Sequence, residues 1–584
     1  MDAQEEHVII NDPDQLKVFY ESHKDDIWCG YNSRNYDQFI LRAILLDFDP
    51  KKVNDWIIVK DKSGWMFSNL FWQVPLNNYD VMPNPPIGLK TMEGFMGNDI
   101  KETSVPFDIK RKLTEAEIAE TVKYCRHDVE QTVEVFLERK SEFDAMLQMC
   151  QVFKMPLSYL GKTDAGITAK VLDCVMTERG DEFDFIIEPF IKLNKYQSVL
   201  NWFRNAKEDC IREMKVEHEK AKPSLKWKYD WTDPDAFSKF FYNRSLTTTI
   251  CGIPHVDGWG GIHGASEKPI HRTGSIWHVD VGSYYPSYLI AHQRVTRSAR
   301  KPEMYKDVYD TRMALKVAGK KKEQAPYKKL LNSLSGAMKD KHNPAYDPCM
   351  NNTMVVNCQL MLIMLLEWLE EIPGFELIQS NTDGLIVKIP DTDEAFNMLD
   401  DICYRWECTC STELCSITLA FDQVTEIWQK DVNNYLFRFV DGKIERKGAY
   451  VKELSKLDAD LPIINRALVA YMTEGIPPAV TINTCNDLIQ FQKLVKLSNK
   501  YEYVEHNGKR YSYKCYRVFA SNRSTDGKIL KCRDGSNPAK FGNTPDSCFI
   551  VNDDVKGMTC PSRLDKRWYI DMAIKRLTDF GVEL

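Results

Sequence analysis

The length of the chain most constrains its fold, because 584 residues exceed what a single hydrophobic core can organise. Such a length favours roughly three to five domains. Residues 1 to about 145 alternate short strand-like and helical segments, which is an α/β pattern. Residues 415–455 return to strand-like alternation, and Asp441-Gly442 predicts a hairpin turn between two of those strands. We therefore expect a multidomain α+β and α/β protein.

Composition narrows the class of protein without naming a function. The net charge of −7 excludes a globally basic protein, so any nucleic-acid surface must be a local patch of Lys and Arg. The 17 cysteines lack the paired Cys-x-x-Cys spacing of a zinc site, which favours reduced cysteines in a cytosolic protein. The most apolar run, Met354 to Leu369, is interrupted by Asn357, Gln359 and Glu367. It predicts a buried helix rather than a membrane span.

One acidic residue stands between two strand-like runs in the segment QSNTDGLIVKI, residues 379–389. Asn381-Thr382-Asp383-Gly384 has the residue types of a tight turn, so a simple β-hairpin explains the segment. Asp383 is then either a turn residue or a metal ligand at a hairpin tip. The interpretation of Asp383 as a metal ligand requires a second carboxylate nearby.

The segment HVDVGSYYPS, residues 278–287, supplies that second carboxylate. Asp280 ends a strand and precedes a turn, where an aspartate commonly caps the next helix. If Asp280 instead faces Asp383 from a neighbouring strand, the two carboxylates can share two Mg²⁺ ions. Magnesium prefers few carboxylates plus substrate phosphates, so two aspartates and the carbonyl of Val281 would suffice.

Two cationic helices are predicted between these acids, over residues 303–340, joined by the basic turn AGKKKEQAP that Pro326 closes. Lys328 and Asn332 are four residues apart and share a helix face, whereas Lys329 lies on a neighbouring face. Arg312 and Lys316 on the preceding helix are also four apart. The pair of helices is either a phosphate-binding hairpin or a solvated basic surface.

The segments DVGSYYPS, KKLLNSLSGA and SNTDGLIV resemble, in this order, the three polymerase motifs of family B DNA polymerases, particularly those of phage type. The family patterns are roughly D-x-x-S-L-Y-P-S, K-x-x-x-N-S-x-Y-G and D-T-D. The resemblance implies that Asp280 and Asp383 are the catalytic metal ligands, with two Mg²⁺ ions for which Mn²⁺ can substitute. The substrates implied are dNTPs and primer–template DNA.

The same resemblance implies roles for the residues around the two acids. Ser283 and Tyr284 would offer backbone amides to the triphosphate, and Tyr285 would exclude a 2′-hydroxyl. Lys328 would hold the triphosphate and Asn332 would line the nucleotide pocket.

Arg312 would be a further phosphate contact.

Two positions depart from the family pattern. Asn381 stands where an aspartate usually begins the third motif, and Ser335 stands where the second motif usually has tyrosine. The first departure leaves Asp383, the stronger ligand of the family pattern, in place. The second puts packing of the nascent base pair in doubt.

Two N-terminal segments resemble the 3′–5′ exonuclease motifs of the same family. GYNSRNYDQFIL contains Asn32 and Asp37, and KYCRHDVEQT contains Tyr124 and Asp128. Each segment alone is better explained as a helix with one surface acid, and only together with the three polymerase motifs do they favour an exonuclease fold. The first exonuclease motif, Asp-x-Glu on an early strand, is missing from residues 1–31. We therefore expect an exonuclease domain of ribonuclease H-like fold, truncated at its start, with weak or absent proofreading.

Three further segments resemble DNA-binding parts of the family or have a simpler explanation. Gly260 and Gly261 of GWGGIHGA would approach the template backbone, or form a glycine turn. Tyr435 and Lys447 would hold the primer end, or belong to a simple basic hairpin. The last helix carries Ile570, Ile574 and Leu577 on one stripe, which predicts an inward face beneath exposed cations.

The resemblance implies a right-hand polymerase, here a template-directed DNA polymerase of phage replication. We expect an exonuclease-like domain at 1–145, a connecting region at 146–270, a palm at 271–300 and 341–455, fingers at 301–340 and a thumb at 456–584. The protein would be a cytoplasmic monomer without membrane contact, with replication accessory proteins as further candidate partners. The alternatives are a nuclease acting through the N-terminal acids, and a catalytically silent homologue that binds primer–template DNA.

Overall fold

The computed structural model describes residues 5–106, 109 and 111–583. These residues form two compact units. The first unit comprises Met1–Thr163 and Glu453–Ala573, and the second comprises Asp164–Lys452 and Ile574–Leu584. Both contain helices and sheets, so the chain is a mixed α/β multidomain protein. The finer division into exonuclease-like domain, palm, fingers and thumb stays a prediction.

The strands of the described residues are named in chain order. They are β1 Ile27–Gly30, β2 Asn77–Asp80, β3 Leu246–Ile250, β4 Ile253–Asp257, β5 His263–Ala265, β6 Ile270–Val281, β7 Glu376–Ser380, β8 Gly384–Lys388, β9 Leu419–Asp431, β10 Asn434–Phe439, β11 Ile444–Lys447, β12 Lys493–Lys496, β13 Tyr503–His506, β14 Lys509–Tyr511, β15 Cys515–Ala520, β16 Leu530–Cys532, β17 Ala539–Lys540 and β18 Cys548–Ile550.

The α-helices are named in the same way. They are α1 Pro13–His23, α2 Asp37–Leu45, α3 Pro50–Asn54, α4 Leu89–Met96, α5 Glu115–Glu138, α6 Lys140–Val152, α7 Asp164–Val171, α8 Gln197–Arg204, α9 Ala206–Lys220, α10 Pro234–Asn243, α11 Tyr284–Ala291, α12 Glu303–Val317, α13 Lys321–Lys339, α14 Pro348–Leu369, α15 Asp393–Cys410, α16 Pro462–Glu474, α17 Pro478–Thr484 and α18 Lys566–Thr578.

The second unit is built on an antiparallel sheet to which, among the described residues, nine strands belong. Their order is β11-β10-β9-β6-β8-β7-β5-β4-β3. The long strand β6 lies between β9 and β8, and β7 and β8 form the predicted hairpin. The second predicted hairpin is also confirmed, since β10 and β11 pair across a turn in which Gly442 has a φ of 84°. The sheet therefore brings the end of β6 beside the tip of the β7–β8 hairpin.

Helix α14 is the predicted buried helix. It is long and apolar enough to span a membrane by length and composition, but its most apolar window is completely buried inside the protein. Its polar side chains are used internally: the amide of Asn357 pairs with the backbone of Ile186 and Glu188, and that of Gln359 pairs with both backbone groups of Gly258. These bonds explain why a core helix contains amides.

The first unit has a parallel pair, β1 and β2, and two small antiparallel sheets, β12-β15-β18 and β14-β13-β16-β17. Buried Arg517 on β15 links the two parts of the sequence that form this unit. Its guanidinium donates to the carbonyls of Gly94, Asn98 and Asp553, and to the side chain of Gln492. Residues that precede and follow the second unit in the sequence therefore share one core.

Two sequence predictions about helices were wrong. The basic turn before α13 spans only residues 318–320, and Pro326 lies inside α13, where it is buried. In α18 the buried stripe is Tyr569, Ala573 and Leu577, whereas Ile574 is 38% exposed. The Tyr569 hydroxyl donates to the carbonyl of Phe491 at 2.7 Å, which satisfies the buried polar group on this face.

Candidate active site

The two predicted carboxylates are neighbours on adjacent strands of the second unit. Asp280 on β6 is paired in register with Gly384, the first residue of β8. The amide of Val281 donates to the carbonyl of Asp383 at 2.8 Å. A β-carbon at Gly384 would lie 3.1 Å from Oδ1 of Asp280, closer than most side chains tolerate. Glycine at this position therefore leaves the space that the Asp280 carboxylate occupies.

Asp383 is also the turn residue that the sequence predicted. The amide of Asn381 donates to the carbonyl of Gly384 at 2.8 Å and closes the hairpin turn. Gly261, with a φ of 120°, packs under this turn, and a β-carbon there would lie 2.8 Å from Oγ1 of Thr382. Gly260 has open space around it. The glycine-rich segment thus supports the hairpin tip at 261, and a contact of either glycine with DNA stays a prediction.

The negative charges of neighbouring carboxylates disfavour ionisation of Asp280. Burial, and then the charge of Asp383, raise the pKa of Asp280 to about 7, and Asp422 adds to the effect. Lys316 on α12 acts in the opposite direction. Asp383 itself is exposed. A cation or a cationic side chain at this place would relieve the repulsion between the carboxylates.

Ser283 forms the tight turn between β6 and α11. Its φ of 54° lies in the left-handed region, and its hydroxyl accepts a bond of 2.5 Å from Nη1 of Arg312. The next residue, Tyr284, is buried, and its hydroxyl donates to the carbonyl of Cys358 on α14 at 2.6 Å. These two contacts fix the start of α11 from both sides. Nη1 of Arg312 is therefore bound to Ser283, while Arg312 also lines the cavity described below, and its role as a phosphate contact stays a prediction. Lys316 is the residue of α12 that interacts with Asp280.

Tyr285 and the predicted face of α13 complete the site. Burial raises the pKa of Tyr285, so its hydroxyl stays protonated at neutral pH. Lys328 and Asn332 are exposed on the same face of α13. Lys329 points elsewhere and forms an ion pair of 3.2 Å with Asp164. The helical spacing in the sequence thus separated the lysine that faces the site from the one that does not.

All of these groups line one cavity of about 700 Å³. Its walls include Asp280, Val281, Ser283, Tyr284, Tyr285, Arg312, Lys316, Lys328, Asn332, Ser335, Thr382 and Asp383. The volume lies within the range of small-molecule sites. Three segments within a stretch of about a hundred residues therefore converge on one space that combines two carboxylates with cations.

A second cavity of about 680 Å³ shares Asp280 and Asp383 with the first. Tyr435 and Lys447 line it, and they are directly paired across β10 and β11 with the lysine Nζ 5.8 Å from the ring centroid. Asp422 and Glu445, which sequence reasoning missed, line it as well. Alternation on β9 and β11 places these two acids on the face of the sheet that carries Asp280, but no motif distinguishes them from other surface acids.

The donor set suits a hard cation. Within the described residues, no group of three or more His, Cys, Asp or Glu side chains is arranged to hold a metal. Two carboxylates and the Val281 carbonyl supply only oxygen ligands, which is what Mg²⁺ prefers when substrate phosphates complete its coordination. Asp280, Asp383 and the Val281 carbonyl could therefore hold such a cation, and its identity stays a prediction.

The N-terminal acids meet in a separate cleft of the first unit, with a volume of about 590 Å³. Asp37 and Asp128 both line it. Lys90, which sequence reasoning missed, binds Oδ1 of Asp128 at 2.6 Å, and its Nζ lies 4.6 Å from the ring centroid of Tyr124. The backbone N–H of Asn32 donates to Oδ1 of Asp80 at 2.9 Å. Asp37 and Asp128 thus share the cleft, and Tyr124 lies beside the lysine that pairs with Asp128. One of the two cleft acids is therefore already ion-paired.

Comparisons with known proteins found a structural similarity and no sequence relative. No family model matches the chain, and no curated protein matches it. Among solved structures it is similar to the family B DNA polymerase of the hyperthermophilic archaeon Pyrobaculum calidifontis, with 12% sequence identity and a TM-score of 0.41. The match covers 98% of this chain and 72% of that one. Similarity at this level assigns no activity, so the function must be inferred from the site itself.

Proposed function

We propose that the chain is a template-directed DNA polymerase that extends a primer 3′-hydroxyl with dNTPs. The observation that carries the proposal is the meeting of Asp280, Asp383 and the cationic face of α12 and α13 in one cavity. Two carboxylates opposite two lysines match a triphosphate held with divalent cations. The order of the three motifs along the chain adds the resemblance to family B polymerases.

The reaction is phosphoryl transfer. The primer 3′-hydroxyl loses its proton to water, and its oxygen forms a bond to the α-phosphorus of the dNTP. The bond from that phosphorus to the pyrophosphate oxygen breaks, and pyrophosphate leaves. Asp280, Asp383 and the Val281 carbonyl would hold Mg²⁺, which when bound stabilises the charge on the attacking and leaving oxygens. Mn²⁺ can take the same oxygen ligands.

The chain's own residues position the substrate. Lys328 and Lys316 would bind the triphosphate oxygens as point charges. The first turn of α11 would offer the amides of Ser283 and Tyr284, because the amides at a helix start lack internal partners. Tyr285 stands beside them at the cavity wall, where its ring would contact a 2′-hydroxyl. Positioning and charge neutralisation together account for most of the catalysis of this reaction class.

The surrounding surfaces suit the nucleic-acid partner. Tyr435 and Lys447 on the second cavity would contact the primer strand, and Gly261 would hold the hairpin tip close to the template. We propose weak or absent proofreading, because Lys90 neutralises Asp128 in the N-terminal cleft. A phage replication role, the host cytoplasm as location and a monomeric state with accessory partners complete the proposal.

Two alternatives remain in view. A silent homologue would bind primer–template DNA without incorporation, and Asn381 and Ser335 are the positions that favour it. A 3′–5′ exonuclease would act through Asp37 and Asp128, and the pairing of Asp128 with Lys90 disfavours it.

The test is primer extension with Mg²⁺ and dNTPs by wild type, Asp383→Ala and Asp391→Ala. Asp391 is an exposed acid just beyond the other end of β8, so it controls for loss of a surface charge. We expect extension by wild type and Asp391→Ala but not by Asp383→Ala. Wild type that binds primer–template DNA without extending it would support the silent homologue. Primer degradation abolished by Asp37→Ala would support the exonuclease.

A further inference from the structure

A groove in the first unit combines exposed indoles with unpaired cations. It has a volume of about 710 Å³ and lies between α2, residues 57–76 and residues 158–162. Trp65 and Trp72 line it with 53% and 60% of their surface exposed. Single exposed apolar residues are common, but two indoles that line one groove form the kind of exposed apolar patch that marks a binding site.

The position of Trp65 is built into the fold. Gly64 lies directly on the ring of Phe39, and a β-carbon there would be only 2.3 Å from that ring. Phe39 and Phe71 belong to the small buried core of this part of the unit. The neighbouring Trp65 and Trp72 are thus held outward by a packed layer beneath them.

The cations of the groove lack anionic partners. Its lining contains Arg34, Arg42, Lys62 and Lys162 against the single acid Asp61. Within the part of the chain that the structure describes, no carboxylate lies within ion-pair distance of those four cations. This excess of positive charge contrasts with the acidic chain as a whole.

The two arginines of the groove and Asn78 point to a ligand more specifically. Arg42 is only 5% exposed, and its guanidinium carbon lies 5.5 Å from the Trp72 ring centroid. Among the described residues, its donors reach only Gln38 and the carbonyl of Val74. Nε of Arg34 is buried without a partner in the described structure. Asn78, 5% exposed, also lines the groove, and its Nδ2 has no acceptor there. These donors are suited to phosphate or base oxygens.

We infer that this groove binds single-stranded nucleic acid, with bases stacked on Trp65 and Trp72 and phosphates on the surrounding cations. Aromatic rings beside cations form the usual platform for single strands, because every base offers a π-face whatever its sequence. A protein-docking surface would instead be depleted in lysine. The inference uses residues of the first unit only, so it stands independently of polymerase activity.

The first test measures fluorescence anisotropy of a labelled oligothymidylate and of the matching oligouridylate. The variants are Trp65→Ala/Trp72→Ala and, as a control, Trp227→Ala, which removes a tryptophan that is 65% exposed and has Lys228 Nζ 5.7 Å from its ring. We expect affinity to fall by about tenfold for each groove indole and to be unchanged in the control. The two oligonucleotides distinguish DNA from RNA. Equal affinity of the double variant and the control would overturn the inference.

A second measurement separates this groove from any other DNA site on the chain. Ultraviolet crosslinking of a bromodeoxyuridine oligonucleotide to the full chain, with mapping by mass spectrometry, should identify peptides that contain Trp65 or Trp72. Lys62→Gln/Lys162→Gln should reduce the slope of log affinity against log salt by about 0.7 per lysine. Crosslinks confined to other segments would contradict the inference. So would a double tryptophan variant that alters only the sedimentation of the chain, which would mark a self-association surface.

Discussion

The contact between Ser283 and Arg312 allows a prediction with a magnitude from the structure. Ser283 adopts a left-handed conformation with a φ of 54°, which disfavours an L-residue by about 1–2 kcal/mol. Its hydroxyl accepts the 2.5 Å bond from Arg312, which is 7% exposed and whose Nε has no partner in the described structure. The strained turn and the buried guanidinium therefore depend on each other.

Ser283→Ala removes the acceptor and keeps the backbone strain. Leaving a buried charged donor unsatisfied should lower the free energy of unfolding by about 1–3 kcal/mol. Ser283→Gly loses the same bond but relieves the strain, so it should be more stable than the alanine variant by about 1 kcal/mol. In a double-mutant cycle with Arg312→Met, the coupling should be about 1–2 kcal/mol. Ser335→Ala is the control, since its hydroxyl makes an ordinary 3.1 Å bond to Asn351.

Hydrogen exchange of residues 280–291 is the assay, because it reads local stability in a chain with two units. Urea unfolding followed by tryptophan fluorescence provides the global value. If Ser283→Gly is as unstable as Ser283→Ala, the strain argument is wrong. If the cycle with Arg312→Met is additive, the hydrogen bond contributes nothing. Because the same turn would present amides to the triphosphate, Ser283→Ala should also raise the KM for dNTPs.

Three further predictions concern single side chains. Lys328→Ala should raise the KM for dNTPs by about tenfold, as expected for a charge-assisted bond to phosphate, whereas Lys329→Ala, which breaks only the pair with Asp164, should change it less than about twofold. Tyr285→Ala should raise incorporation of ribonucleotides relative to deoxynucleotides by about tenfold or more, measured by single-nucleotide extension; unchanged discrimination would remove Tyr285 as the sugar gate. Burial raises the pKa of Asp257 to about 7, so its folded form holds a proton that the unfolded chain loses near pH 4. Asp257 should therefore cost up to about 4 kcal/mol of stability as pH rises from 4 to 7, and Asp257→Asn should lose less stability than wild type by about that amount. Equal losses in wild type and Asp257→Asn between pH 5 and 8, measured by urea unfolding, would contradict this.

The parts of the site that depend on residues close together in sequence were predicted correctly, namely the hairpin turn and one helix face. Asn381 and Gly384 suffice to set the hairpin turn, and four-residue spacing suffices to place Lys328 and Asn332 on one face. The start of α13 was missed because Pro326 was taken as the end of the turn that precedes the helix. Proline removes one backbone bond, but burial of its ring within the second unit offsets that loss, and burial depends on residues distant in sequence.

The rotation of one helix against another cannot be inferred from periodicity alone. In α18, Tyr569, Ala573 and Leu577 form one apolar stripe, and Ile570 with Ile574 forms another beside it. Only the partners of the Tyr569 hydroxyl, the carbonyl of Phe491 and the amide of Ala520, show which stripe is buried. The same limit explains why the bond between Arg312 and Ser283 was not predicted, whereas a contact of Arg312 with phosphate stays a prediction.

The candidate active site and the groove share one feature, which is that each places cations on the surface of an acidic chain. The chain carries −7 overall, which would repel a nucleic acid at long range. Yet the groove has four cations for one acid, and the candidate active site has Lys316 and Lys328 facing its two aspartates. Counterion release depends on cations in contact with phosphate, not on net charge, so binding at each site should weaken steeply with salt. The slope of log affinity against log salt should differ between the two sites. The carboxylates of the active site attract divalent cations, whereas the groove has only one acid. Added Mg²⁺ should therefore strengthen binding of primer–template DNA with dNTP at the active site while weakening single-strand binding at the groove by screening.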